Sequence, residues 1–251
     1  MKVFGITGGV GAGKSEVLTY LGQNYDATVI QADEAGYLVM LPGGECYGEI
    51  VKLFGRQITT ETGELDRKRI AEIVFQDEEK LKALNAIVHP AVKRYIKKAI
   101  AAAEKAGTEY VFVEAALLIE EKYDEICDEL WYIYADEEVR KERLIEGRGY
   151  SEKKVREIMA NQLSEDEFSS HCDFEIDNSG DFEETKKQLD HRMKKYETLW
   201  YCKWFERKLH FRGKRDHKPS DRCGHQRKAR GGGAGCSRSQ REGAGRHSRD
   251  T

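Results

Sequence analysis

The sequence predicts an α/β fold in which a parallel sheet carries helices on both faces. Three observations support it. Two short apolar runs without polar alternation, residues 110–114 (YVFVE) and 130–135 (LWYIYA), have the character of strands buried on both sides. Segments with apolar residues at three- and four-residue spacing separate such runs. The chain opens on a β-rich run, a glycine-rich turn and a helix-patterned stretch.

The elements follow in order. Residues 2–7 (KVFGIT) form the first strand, and residues 16–22 have helical character. A second strand, 28–32, ends at Asp33 and is expected beside the first. Residues 45–105 are mostly helical in pattern, most clearly at 66–75 and 78–88. His89-Pro90 predicts a helix break or restart, because proline lacks an N–H and restricts the residue before it. Beyond residue 135, helices are expected over 137–147, 151–163 and 181–208, with a short strand at 174–177 (FEID). No internal repeat is visible.

Composition narrows the class. The 251 residues suffice for one α/β domain with insertions, and a core of that size folds without disulfides or metals. No stretch reaches the roughly 20 apolar residues of a membrane helix. The opening MKVFGITGG runs straight into a strand and does not read as a signal peptide. Cys46, Cys127, Cys172, Cys202, Cys223 and Cys236 lack paired spacing and read as reduced thiols of a cytoplasmic protein. Cys223-Gly-His225 has half the spacing of a zinc site, with no second pair nearby.

Charge divides the chain. Residues 213–251 carry 11 basic against 4 acidic side chains, a net of +7, which leaves −10 on the other 212. After Phe211 there is no Val, Ile, Leu, Met, Phe, Trp or Tyr. Residues 212–251 are therefore expected as a disordered basic tail, since such a segment cannot bury enough apolar surface to offset its ordering entropy. Such a tail is either a dispensable extension or a weak binder of RNA or anionic surfaces. The acidic folded part argues against nucleic acid as the main partner.

Gly8-Gly9-Val10-Gly11-Ala12-Gly13-Lys14-Ser15 matches G-x-x-x-x-G-K-[ST] in full, between a strand and a helix. In that setting glycines turn backbone N–H groups inward around phosphate oxygens, and the helix N-terminus adds its positive end. Lys14 reaches the β- and γ-phosphates of a nucleoside triphosphate, and the Ser15 hydroxyl suits Mg²⁺. Asp33, at a strand's carboxyl end, reads either as a base for an attacking hydroxyl or as the cap of a helix beginning at Glu34. Arg140 and Arg143 share a helix face, and Arg148 lies between Gly147 and Gly149. Arg148 reads as a guanidinium for the transferring phosphate, Arg140 as a solvated surface charge. Gly63 to Arg67 (GELDR) reads as a turn and a helix start with an arginine in its first turn. His89 is open to a structural or a catalytic reading.

Together these segments resemble one family. GITGGVGAGKS, QADEAGY, GELDRKRIAEIVF, LNAIVHPAV, ALLIE, RKERLIEGRGYS and CDFEIDNSG occur in the order and spacing of the dephospho-coenzyme A kinases, over roughly residues 1–200. The resemblance implies a P-loop fold with a five-stranded parallel sheet, a helical substrate-binding insertion at about 36–105 and a mobile lid at about 140–160, all within residues 1–211. It implies MgATP-dependent phosphorylation of the ribose 3′-hydroxyl of dephospho-coenzyme A. It assigns Gly8, Gly11, Ala12, Gly13, Lys14, Ser15 and Glu16 to ATP, with Ser15 also on the metal. Asn178 falls near the adenine, and Asp33, Arg67, His89 and Leu117 on the acceptor. Asp33 is the implied base, and Arg148 the lid arginine acting with Lys14 in catalysis. Ala116 stands where the family usually has proline. Two alternatives remain at this level: a nucleoside or nucleotide kinase of the same fold, and a regulatory nucleotide-binding module whose tail binds RNA. Oligomeric state is not legible.

Overall fold

The computed structural model describes residues 1–212, within which Met1–Trp200 form one compact unit. That unit ends short of the expected boundary at 211. Tyr201–Thr251 form a second unit, of which the described part, to Arg212, is helical. The tail expected over 212–251 lies outside the described residues, apart from Arg212.

The elements are β1 (Lys2–Thr7), α1 (Lys14–Asn24), β2 (Ala27–Gln31), α2 (Ala32–Val39), α3 (Tyr47–Phe54), α4 (Arg67–Gln76), α5 (Glu78–Ala106), β3 (Tyr110–Glu114), β4 (Glu129–Tyr134), α6 (Glu137–Arg148), α7 (Glu152–Ala160), α8 (Glu165–His171), β5 (Phe174–Asp177) and α9 (Phe182–Arg212). The five strands form one parallel sheet in the order β2-β3-β1-β4-β5. This corrects one expectation: β2 does not lie beside β1, because β3 is inserted between them. Glu114 of β3 therefore pairs with Ile6 on one side and Gln31 on the other.

Strand periodicity sorts the core into two layers. Val3, Val111, Val113 and Leu130 face the side packed by Ile50, Val92 and Ile96. Phe4, Ile6, Phe112, Trp131 and Ile133 face the other, against Val17, Leu21, Leu189 and Met193. Burial on both faces explains why YVFVE and LWYIY show no polar alternation. Phe4 anchors the second layer, with its ring 4.7 Å from that of Trp131 and 5.0 Å from that of Tyr196. Each fully buried side chain of this size contributes about 1.5–3 kcal/mol.

Two helices depart from the sequence reading. Pro90 does not break its helix, since α5 runs unbroken through it. Proline removes one hydrogen bond, to the carbonyl of Ala86. Ala86 and Pro90 are both exposed, so the missing bond lies on the solvent side of the helix, while buried Ala91, Val92 and Ile96 hold the following turns in the core. The helix expected over 151–163 ends at Ala160, and a separate helix, α8, follows. It carries a capping box between Ser164 and Glu167. Its one buried apolar side chain, Phe168, stacks on Tyr132 at 4.9 Å and is too little to give a periodic signal.

Candidate active site

The phosphate loop, residues 8–15, joins β1 to α1 at the carboxyl edge of the sheet, where ligands of parallel α/β proteins collect. Gly13 is the N-cap of α1 at φ +89°, a left-handed conformation that a side chain rarely adopts. Gly9 lies against the Arg140 guanidinium, so a Cβ there would collide with it. The Lys14 ammonium donates to the carbonyl oxygens of Gly8 (2.8 Å) and Gly9 (3.2 Å), at the mouth of the loop. Burial holds its pKa below the usual lysine value. Glu114 and Asp33 oppose that shift, while Arg140 and Arg148 add to it. Ser15 and Glu16 are exposed in the first turn of α1, and the Glu16 N–H is turned back to the Gly13 carbonyl.

Glu114, at the end of β3, is a site residue that the sequence reading missed. It is half-buried, and burial raises its pKa. Lys14 counters the shift and Asp33 reinforces it. Its signal was an apolar strand ending in a carboxylate, but only the strand order puts that carboxylate beside the phosphate loop.

Asp33 occupies the first turn of α2, whose N-cap is Gln31. The cap reading is therefore excluded, and the negative charge instead complements the helix N-terminus. Asp33 opens onto a cleft of about 500 Å³ that also includes Arg67, His89, Leu117, Glu121 and Tyr123. The four predicted acceptor-side residues thus come from four separate segments into one cavity. His89 Nδ1 lies 2.6 Å from Glu121 Oε1, which orients its ring. Arg67, the first residue of α4, lies over the Tyr37 ring at 5.2 Å. Leu117 is 44% exposed, and Ala116 lines the cleft beside it.

The arginines depart from expectation. Arg140 is not a solvated surface charge but is 8% exposed. Its Nε donates to the Val10 carbonyl (3.1 Å), and a terminal nitrogen donates to Gln162 Oε1 (2.6 Å). Arg143 donates to the Asn178 carbonyl (2.9 Å). Its other terminal nitrogen, near Gly13, is buried without a partner among the described residues. Arg148 ends α6, fully in the helix and exposed, with Gly149 as the left-handed C-cap. Asn178 is 1% exposed and braces the loop from behind. Its amide donates to the Ala12 carbonyl (2.8 Å), and its side-chain oxygen accepts from the Thr185 hydroxyl (2.8 Å). Both its polar groups thereby have partners within the protein, and through them Asn178 supports the loop.

A strand–loop–helix phosphate cradle, a lysine aimed along it and a carboxylate-lined cleft at the same sheet edge define a P-loop kinase. The dephospho-CoA kinase family model matches residues 2–184. The chain therefore belongs to the dephospho-CoA kinase family. The curated dephospho-CoA kinase of Aquifex aeolicus is 40% identical over 200 residues, spanning 79% of this chain and 98% of its own. That of Geobacillus kaustophilus is 36% identical over 195 residues, spanning 78% and 96%. The crystal structure of TT1252 from Thermus thermophilus matches with a TM-score of 0.65 at 29% identity, over 77% of this chain and 97% of that one.

Proposed function

We propose that this chain transfers the γ-phosphoryl group of ATP to the ribose 3′-hydroxyl of dephospho-coenzyme A, giving coenzyme A and ADP. The observation that carries this reading is the junction at Asp33. The same side chain lines the acceptor cleft and lies close enough to Lys14 for its charge to act there.

The loop of residues 8–15 cradles the polyphosphate with backbone N–H groups, and Lys14 neutralises charge as it shifts toward the β-γ bridge. Arg148, at the exposed end of α6, supplies a further cation to the transferring group. The hydroxyl of Ser15 and the carboxylates of Glu114 and Asp33 are hard oxygen donors at one sheet edge. No described group of three or more His, Cys, Asp or Glu could form a metal cage. That set fits Mg²⁺, which is held by one or two protein oxygens together with phosphates and water. Ser15 and Glu114 would hold the ion, which when bound neutralises phosphate charge. Asp33 accepts the hydrogen bond of the attacking hydroxyl and orients it. Arg67 and His89 hold the acceptor on the far side of the cleft. Of the span at about 140–160, the part beyond Leu144 serves as the lid, since Arg140 and Leu144 are buried and fix the earlier turns of α6 to the body.

No described helix is long and apolar enough to cross a membrane. A cytoplasmic setting is in keeping with the unpaired thiols of Cys46, Cys127 and Cys172. The test is a panel of acceptors with MgATP and the full chain. Dephospho-coenzyme A is expected to be phosphorylated in preference to nucleosides and nucleoside monophosphates by about 10²-fold or more in kcat/KM. A nucleoside used as well as dephospho-coenzyme A would replace this reading with that of a nucleoside kinase.

A further inference from the structure

Gln162 lies in the turn between α7 and α8 and is half-buried. Its Oε1 accepts from the Val10 N–H (3.3 Å) and from the Arg140 guanidinium (2.6 Å). Both partners are donors, which fixes the amide with its oxygen inward. Arg140 also donates to the Val10 carbonyl, so one residue of the phosphate loop, one guanidinium and one carboxamide form a closed ring.

The chemistry of that ring is unusual for a buried cation. Arg140 is 8% exposed, yet among the described residues its hydrogen-bond partners are a carbonyl and a carboxamide, both neutral. A buried guanidinium ordinarily requires a carboxylate partner. Here no carboxylate among the described residues forms an ion pair with it, Glu137 sensing its charge only weakly, and the guanidinium lies against Gly9 of the phosphate loop. It is felt at Lys14, whose pKa it helps to lower after burial has set the direction.

We propose that Gln162 is a positioning residue for the bound polyphosphate, holding the Arg140 guanidinium against the loop without neutralising it. A carboxylate at the same place would hold Arg140 equally well but would cancel the charge that an anionic ligand needs. The carboxamide is thus a choice of a neutral anchor over an ionic one. The inference rests on the reading of residues 8–15 as a nucleotide site, and it is independent of the acceptor.

The test compares Gln162→Glu and Gln162→Met with the parent in the full chain. Three quantities are measured: melting temperature, ADP affinity by calorimetry without acceptor, and KM for ATP against kcat. Gln162→Glu is expected to melt at or above the parent, because Arg140 gains an ionic partner. Its ADP affinity should fall, and its KM for ATP rise, by about 10-fold or more, with kcat at saturating ATP within a few-fold. Gln162→Met lacks the oxygen but leaves the charge, so it should melt below the parent and weaken ADP binding less than Gln162→Glu does. ADP affinity within about two-fold of the parent in Gln162→Glu would overturn the proposal. So would equal weakening in both variants, which would mean that only the anchor matters and not its neutrality. A Gln162→Glu chain melting well below the parent would also count against it, since the carboxylate would then not replace the amide. ADP binding is read without acceptor, so a wrong acceptor assignment fails in the acceptor panel and leaves this test standing.

Discussion

Asp33 lines the cleft while its charge reaches Lys14, which makes it the residue on which the proposed transfer turns. It is exposed and is not the N-cap of α2, so Asp33→Asn loses only a charge in the first turn of that helix and should lower the melting temperature by at most a few degrees. Turnover should fall by about 10²-fold, the lower range for loss of a positioned proton acceptor. Nucleotide affinity without acceptor should hold, and its collapse would place Asp33 among the groups serving the metal. Glu114 behaves differently. Its pKa is raised in the folded protein, which therefore binds that proton more tightly than the unfolded chain does. The stability gained is present below the ordinary carboxylate range and lost as pH rises through the raised value. At neutral pH the charged form is a cost, carried for function. Gln at this position should thus raise the melting temperature at pH 7, or leave it unchanged, while lowering turnover by about 10-fold or more. A lower melting temperature would show that the Lys14 attraction outweighs burial. Asp33, Arg67, His89 and Leu117, each singled out from a local motif, line one cleft. Glu114, Arg140 and Gln162 were not legible in that way, because their roles depend on which strand is inserted beside the loop and on how deep a helix face is buried. Neither property is local in sequence.

Among the elements, α5 shows why local punctuation misleads. Pro90 follows His89, and proline disfavours helical backbone at the residue before it. The helix nonetheless continues, because its buried face carries Ala91, Val92 and Ile96 while the defect faces water. Packing thereby overrides propensity, and His89 stays on a rigid helix with its ring oriented by Glu121. Pro90→Ala restores the missing hydrogen bond and should stabilise the protein, by on the order of 1 kcal/mol and at most the roughly 3 kcal/mol that proline costs in a helix interior. Chemical denaturation measures this directly. KM for dephospho-coenzyme A should change at most a few-fold, since the helix already runs unbroken. A destabilised variant would mean that Pro90 relieves a strain and that a fully bonded helix fits the sheet less well. The strands were legible to within a residue because burial on both faces leaves a continuous apolar run. The short helix α8 was not, because Phe168 alone anchors it.

At the scale of the whole molecule, the strand order makes the enzyme. Inserting β3 between β2 and β1 sets Glu114 beside the phosphate loop and spaces Asp33 across from it. The helical segment between β2 and β3 then returns Arg67 and His89 over the same edge. The two core layers pack the sheet from either side behind this edge. The α/β class was legible from periodicity, whereas the order of strands required the folded chain. The most direct measurement is a single turnover of the full chain with ATP labelled in the γ-phosphoryl group and dephospho-coenzyme A as acceptor, the label being located in the product. The account predicts label on the ribose 3′-oxygen as a monoester, in step with ADP formation. Label appearing only as inorganic phosphate, or on another hydroxyl of the acceptor, would contradict it.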